Sequence, residues 1–309
     1  MRADPIRTSI PQLAPRSSRA GPRVTVVMPT WRRAHQIGES IRSLLEGTWS
    51  DFELLVQDDG DGTDGTEEAV HAASARDSRV HYRRNPASLR MPGNLNAGIA
   101  ESRGDCVVVC HDHDVYKPHY LIKMVEALER HPSALFVHCA IDVISQNGRH
   151  VASHIGNWPE LTPGRSWLQF MLRSFACPVC ALSMVRRSAH ERYGLYDPAW
   201  GFIADVEMWM RLARYGDVAY VNEPLVRVRE READHFATRN QVRILRTASK
   251  IHREYVQHIY AGWTSFTKRE LVTLRFAREV ARSWTSAKAR ELFPSRMRVA
   301  GESKFREVT

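Results

Sequence analysis

Two carboxylates two positions apart, Asp112 and Asp114, alternate with two imidazoles, His111 and His113, at the end of the apolar run Cys106-Val107-Val108-Val109-Cys110. Small β-branched and thiol side chains in that run read as a strand buried on both faces, and Pro118 then opens a helix. In an open α/β sheet the crevice beyond the carboxyl ends of the strands is where ligands bind. If the strand persists, Asp112 and Asp114 project to one side, and two hard oxygen donors can share one divalent cation, Mg²⁺ or Mn²⁺. A solvated turn with an Asx cap before Pro118 is the alternative. The same alternation sends His111 and His113 to the other face, as packed or hydrogen-bonded histidines, with contact of His113 to the metal as the lesser alternative. A second acidic pair, Asp58 and Asp59, closes the run Phe52-Glu53-Leu54-Leu55-Val56-Gln57. Like charges gathered at one edge need a cation or hydrogen-bond donors to be tolerable. A nucleotide supplies both, with a base that donates an N–H to Asp58 or Asp59 and a diphosphate that brings the cation.

The elements that must position these groups alternate in type. A strand over Arg23–Pro29 leads to a helix whose Ile37, Ile41, Leu44 and Leu45 share one face, and a second strand covers Phe52–Gln57. A helix starts at Thr66, a short strand covers Val80–Arg83, and a helix from Pro92 delivers the chain to the Cys106 run. Strand, helix and strand repeated in this way predict an α/β fold, a doubly wound, mostly parallel sheet with helices on both faces.

The chain has 309 residues and is 43% hydrophobic, enough to bury one large domain or a domain with an appendage. No apolar run reaches the roughly eighteen residues that span a bilayer. Five cysteines argue against a disulfide framework and for a reducing cytoplasm. Cys177-Pro178-Val179-Cys180 has C-x-x-C spacing but no second pair follows it, which favours two buried thiols over a redox or zinc role. Residues 1–22, rich in Arg, Pro and Ser, read as a disordered leader. The net charge of +9 is uneven: from Ala237 to the end there are sixteen Lys or Arg against six Glu, so the rest is close to neutral. That argues against nucleic acid as the ligand of the first part, and makes an anionic membrane surface a candidate partner of the last. Residues 237–309 read as a basic helical extension, with one apolar stripe of Ile244, Ala248, Ile251, Tyr255 and Ile259 and another of Leu271, Leu274, Ala277, Ala281 and Trp284. Such helices most often cap a catalytic domain.

Read in order, Val26-Val27-Met28-Pro29-Thr30-Trp31-Arg32-Arg33, Gln57-Asp58-Asp59-Gly60, Asn94-Leu95-Asn96-Ala97-Gly98 with Arg103-Gly104-Asp105, and Asp112-His113-Asp114 resemble the motifs of a family 2 glycosyltransferase of the GT-A fold. Met184–Ala189 and Ala204–Ala213 resemble two later blocks of that family, so the likeness runs from about Val24 to about Arg231. The chain departs from the family where Val115 replaces a third acid, where Ala204 precedes Asp205 in place of Glu, and where Arg229-Glu230-Arg231 with His235 stands for an Arg-x-His loop over the diphosphate.

The resemblance implies a GT-A domain over residues 23–236, with a nucleotide-binding half (23–116) and an acceptor half (117–236). It implies an inverting transfer from a nucleoside diphosphate-sugar, UDP-, dTDP- or GDP-linked, to a hydroxyl of a glycan, lipid-linked or small-molecule acceptor. Carried onto this sequence, Pro29, Thr30, Arg32, Asp58, Asp59, Asn96, Asp112 and Arg229 hold the donor, and Asp112 and Asp114 hold the cation. Asp205 is the general base, a carboxylate that the N-terminus of a helix stabilises and holds at a crevice edge. Glu207 is its rival and an acceptor candidate, rotated about 200° from it on a helix. Trp200 and Phe202, just before this block, are the aromatic pair best placed to stack on an acceptor, ahead of Trp158 and Trp167. A cytoplasmic enzyme, with peripheral contact at the inner face of the membrane as an option, is the expectation. The competing class is a non-catalytic nucleotide- or polyanion-binding protein on the same scaffold. A sugar nucleotidyltransferase is disfavoured, because no Gly-rich phosphate loop with a neighbouring Lys follows the first strand.

Overall fold

The computed structural model describes residues 10–14, 21–174, 177–179, 183–230, 240–260 and 266–292. Its strands are β1 (Val24–Thr30), β2 (Phe52–Asp58), β3 (Val80–Arg84), β4 (Cys106–Val109), β5 (Val115–Tyr116), β6 (Ala134–Ile144), β7 (His150–His154), β8 (Leu161–Thr162), β9 (Ser183–Arg186) and β10 (Asp217–Arg229). They form one mixed, mostly parallel sheet in the order β3-β2-β1-β4-β9-β6-β10-β5, with β7 on β6 and β8 on β10. β3, β2, β1 and β4 are parallel, as are β6 and β10. β9 runs antiparallel to both β4 and β6 and so joins the two groups. The carboxyl ends of β1, β2, β3, β4, β6 and β10 therefore face one edge, and Thr30, Asp58, Asp59, Asp112, Asp114 and Arg229 lie at or just beyond those ends.

The strands form where the sequence is apolar on both faces. Every residue of β2 and β4 is buried, and β1 is buried throughout apart from Pro29. Each fully buried Val, Leu or Met side chain contributes about 1.5–3 kcal/mol relative to exposure. The charge of Glu53 survives inside β2 because Thr25 Oγ1 (2.6 Å), the Arg103 amide (2.8 Å) and Arg103 Nε (2.7 Å) all donate to it. The flanking helices are α1 (Ala34–Leu45), α2 (Thr66–Ser74), α3 (Arg90–Glu101), α4 (Tyr120–Arg130), α5 (Gly164–Arg173), α6 (Arg187–Tyr193) and α7 (Ala204–Leu212), the last preceded by a 3₁₀ turn over Pro198–Ile203. α1 buries Ile37, Ile41 and Leu44, spaced as one helix face. α3 lies so close to β1 that a Cβ on Gly98 would sit 2.5 Å from Val27 Cγ1, which is why glycine stands there.

Four expectations need correction. Part of the expected leader is packed: Ile10 and Leu13 are buried, and Pro11 O accepts from the Leu195 amide at 2.9 Å. The central strand stops at Val109, and Asp112 and His113 lie in a turn, so the period-two argument fails for residues 111–114. Arg229 belongs to the end of β10, which runs on for thirteen residues, and not to a loop. Trp167 is wholly buried and meets Phe136 edge-on, a core contact that takes it out of any acceptor wall.

The chain divides into two compact units, one of Met1–Met171 with Ala176–Glu232, the other of Leu172–Phe175 with Ala233–Thr309. The second unit carries α8 (Gln241–Ile259) and α9 (Phe266–Leu292). α8 buries Leu245, Ile251, His252, Tyr255, Val256 and Ile259, with Ile244 and Ala248 at the margin of that face. In α9 the expected stripe is reversed. Val272 and Phe276 are buried, Phe276 stacking on His252 at 4.0 Å, while Leu271, Leu274, Ala277 and Ala281 are exposed. Two apolar stripes share this helix, and the one carrying Val272 and Phe276 is buried, while the Trp284 side chain lies outside the described residues.

Candidate active site

The turn after β4 is built around Asp114, which is fully buried. Its Oδ1 accepts the Arg229 amide at 2.9 Å from the end of β10, and its Oδ2 lies 3.0 Å from His111 Nδ1. His113 Nδ1 pairs with Asp112 Oδ1 at 2.8 Å, and its Nε2 stands 3.9 Å from Asp114 Oδ1. The two imidazoles stack, centroids 5.3 Å apart and nearly parallel. Asp112 and Asp114 therefore do not converge as on a continuing strand; each turns to a histidine. Burial pulls the His111 imidazole down most, but its bond to Asp114 and the charges of Asp114, Asp112 and Asp205 outweigh it and hold the group above its ordinary value. Burial likewise pushes Asp114 up, and the His111 bond, the histidine charges and the Arg229 amide bring it below the usual carboxylate range. His111, His113 and Asp114 each offer one donor atom, all within 4.8 Å of one another, and this set of nitrogen and carboxylate donors fits a divalent cation.

Arg229 braces the same turn. Its Nε donates to His113 O (2.9 Å), one terminal nitrogen to Gln146 O (2.8 Å), and the other to Glu39 Oε2 (2.7 Å). The guanidinium expected to clamp a diphosphate is thus engaged with α1 and with the β6–β7 turn. Glu39 and Gln146 went unnoticed in the sequence because neither belongs to a motif.

At the end of β2, both carboxylates are taken up by neutral donors. Asp58 accepts from the Gly60 amide and the Tyr82 hydroxyl, both at 2.7 Å. Asp59 accepts from the Leu89 amide (2.7 Å), the Arg90 amide (2.8 Å), Ser88 Oγ (2.7 Å) and Asn85 Nδ2 (2.8 Å). Burial pushes the Asp59 carboxyl up, and these four hydrogen bonds together carry it below its ordinary value. They fix the start of α3, where Arg90 takes a left-handed φ of 55°. On the other side the Asp59 amide bonds Thr30 O at 3.0 Å, tying the same acid to β1. There Arg32, also left-handed at φ 53°, reaches Asp61 at 2.5 Å and lies over the exposed Trp31. Non-glycine residues in this region are uncommon and gather at functional sites. Thr30 follows Pro29 at the end of β1, and its Oγ1 is buried without a hydrogen-bond partner.

Asp205 is the second residue of α7, half-buried, with Oδ1 accepting the Val206 amide at 2.8 Å. Its charge adds to the upward pull on both the His111 imidazole and the Tyr196 phenol. Asn96 of α3 holds Tyr196 in place, donating to its carbonyl at 2.8 Å and accepting its amide at 3.0 Å. Tyr196 belongs to no motif, and a tyrosine in a loop carries no signal in the sequence. Trp200 and Phe202 sit on the 3₁₀ turn just before α7, and the Trp200 indole N–H is buried without a partner. Glu207 goes elsewhere: it is fully buried and pairs with Arg211 at 3.2 Å, while Arg211 donates to Tyr193 O and to Leu195 O. That arrangement leaves it no face toward an acceptor. Lys117, just after β5, pairs with Asp142 at 2.8 Å. Arg231, His235 and Cys180 lie outside the described residues.

A mixed, mostly parallel sheet flanked by helices, with two acidic turns at its carboxyl edge, is the frame of the GT-A glycosyltransferases. The sequence model described as Glycosyl transferase family 2 matches residues 25–194, more than half of the chain, and the chain belongs to that family of glycosyltransferases. EpsE of Bacillus subtilis (strain 168), whose name places it among the glycosyltransferases, is 28% identical over 226 residues, 72% of this chain and 77% of that one. The GalNAc(5)-diNAcBac-PP-undecaprenol beta-1,3-glucosyltransferase of Campylobacter jejuni is 26% identical over 122 residues, 39% of each chain. Among solved structures, S. aureus TarS 1-349 in complex with UDP-GlcNAc superposes with a TM-score of 0.60 at 13% identity, covering 87% of this chain and 92% of that one. At that identity the likeness is one of fold.

Proposed function

We propose that the enzyme moves a sugar from a nucleoside diphosphate-sugar to an acceptor hydroxyl by a cation-assisted direct displacement that inverts the anomeric carbon, with Asp205 as the general base. The observation that carries this reading is the cluster of His111, His113 and Asp114 just beyond β4, together with the charge of Asp205 that acts on the His111 imidazole. When bound, the divalent cation offsets the charge that gathers on the leaving diphosphate. Asp205, anchored by its own helix, takes the proton of the attacking hydroxyl. Asp58 and Asp59 shape the base pocket, Pro29, Thr30 and Arg32 flank it, and the unsatisfied Thr30 hydroxyl is a ready partner for the donor. Asp112 lies on the diphosphate side, Arg229 braces the turn that carries it, and Asn96 acts through Tyr196. The fold shared with a UDP-GlcNAc complex favours a UDP-sugar, with dTDP- and GDP-sugars as competitors, and the Campylobacter relative's name favours a lipid-linked acceptor over a free glycan or small molecule.

Asp205→Asn separates chemistry from capping, because an amide still accepts the Val206 N–H but takes up no proton. We expect turnover to fall by about two to four orders of magnitude with UDP affinity and melting temperature nearly unchanged. Wild-type turnover in that variant would remove Asp205 from the mechanism. Glu207→Gln should instead lower stability by about 3 kcal/mol, since it strands the buried Arg211 charge.

The second unit suits a cytoplasmic enzyme that touches an anionic membrane. Among the described residues no helix is long and apolar enough to cross a membrane, whereas α9 exposes Leu271 and Leu274 beside the exposed Arg275 and Arg278. Co-sedimentation with anionic vesicles, lost at high salt, is the expected behaviour.

A further inference from the structure

We infer that residues 10–13 form a strap that sets the segment joining α6 to α7, and with it the position of Asp205, so that Ile10 and Leu13 are positioning residues for the transfer. The role of Asp205 rests on the function proposed above; the grip belongs to the strap alone. The sequence prepares this stretch to lie extended, because Pro11 fixes its own φ and steers Ile10 away from helical conformations. Ile10 and Leu13 are buried, while Gln12 between them is exposed and its side-chain amide donates to Ile10 O at 3.0 Å. Pro11 O accepts the Leu195 amide at 2.9 Å. Gly194 shows how closely the strap lies: a Cβ there would sit 2.5 Å from Ile10 Cγ2, 3.1 Å from Gln12 Nε2 and 3.2 Å from Pro11 O.

That hold falls on a short segment with two other ties. Arg211 of α7 donates to Tyr193 O and to Leu195 O, and Asn96 of α3 bonds the carbonyl and the amide of Tyr196 at 2.8 and 3.0 Å. The Leu195 N–H is left to the strap, which supplies its acceptor where water has little access. Asp197, two residues on, caps the 3₁₀ turn through the Ala199 amide at 2.9 Å, and that turn runs directly into α7 and Asp205. The approach to the base-bearing helix is therefore anchored at the strap as well as at α3. A catalytic carboxylate has to be held within about 0.5 Å of its productive place, so looseness in this segment acts on turnover. Among the described residues no hydrogen bond links the strap to the ends of β1, β2 or β4, so donor binding is spared.

The experiment uses the full chain and follows amide hydrogen exchange together with turnover. Ile10→Asp combined with Leu13→Asp puts two charges where two apolar side chains are buried and should release the strap. Ile10→Val combined with Leu13→Met keeps it apolar and should match wild type throughout. In the Asp pair we expect the Leu195 amide to exchange at least about tenfold faster and residues 198–205 to follow it, with β1, β2 and β4 at wild-type rates. Leu13→Ala alone, a milder release, should move the same amides in the same direction. UDP release from UDP-GlcNAc, the probe donor, should fall about tenfold in kcat with KM within about twofold, and the Asp pair placed on Asp205→Asn should add no further loss. Wild-type exchange at Leu195 in both variants overturns the inference. So does exchange raised alike in every strand, or faster exchange at 195–205 with unchanged kcat. A wild-type chain that binds no UDP would discard the proposed function, while exchange over 193–205 would still decide whether the strap holds that segment.

Discussion

Two acidic pairs sit on the same edge of the sheet, and they are neutralised in opposite ways. Asp58 and Asp59 at the end of β2 are met by amides, hydroxyls and a carboxamide, donors that neither titrate nor leave. Asp112 and Asp114 at the end of β4 are met chiefly by imidazoles, which can exchange a proton for a metal ion. The first pair is architecture, because its hydrogen bonds hold the start of α3 against β1. The second has bonds that a ligand can replace at little cost. Motif spelling alone, two acids after an apolar run, does not distinguish them.

Removing each carboxylate tests that contrast. Asp59→Ala leaves two backbone amides, a hydroxyl and a carboxamide without their acceptor, and should cost about 3–4 kcal/mol in urea unfolding. A loss under about 1 kcal/mol would mean that the 85–90 segment is held by something else. Asp114→Asn keeps an oxygen for the Arg229 amide but forfeits the charge, and should cost about 1–2 kcal/mol. His113→Gln, at the partly exposed end of the cluster, should change stability by no more than about 0.5 kcal/mol, with its effect confined to metal binding.

Acid sharpens the comparison. The folded Asp59 carboxyl titrates below its unfolded value, so its contribution is complete above about pH 4 and is lost as pH falls through the lowered value. The stability gap between wild type and Asp59→Asn should therefore narrow below pH 4; a constant gap would assign the effect to shape. Buried His138 behaves as a base kept neutral, pulled down to about 3 by burial. The unfolded chain takes up a proton near pH 6.5 where the folded one does not, so stability declines as pH falls from about 6.5, and His138→Phe should flatten that part of the profile.

The strands β1, β2 and β4 were legible because burial on both faces forces continuous apolar runs, and α1 because Ile37, Ile41 and Leu44 repeat at helical spacing. The turn at 111–114 was not, since a strand's alternation holds only while the strand lasts, and pairing between β4 and β9 ends at Val108. Asp205 and Glu207 differ by a helical rotation that sequence does display, but the depth to which each side is covered depends on Tyr193 and Leu195, whose carbonyls call Arg211 inward. The face that α9 buries was misjudged for a related reason: two apolar stripes fit one helix, and only the contact of Phe276 with His252 decides between them.

The reversed strand β9 has a kinetic consequence. It occupies the middle of the sheet, yet its residues, Ser183–Arg186, are made long after those of its neighbours, β4 and β6. Until they emerge from the ribosome, the β4 edge and the matching edge of β6 each present unpaired amides and carbonyls. Closing both ladders requires one short segment to travel back across at least some forty residues of intervening chain, a non-local pairing that slows assembly. The nascent chain is thus most exposed to edge-to-edge aggregation between the completion of β6 and the arrival of β9, and slow translation just after β9, not before it, is what would shelter it.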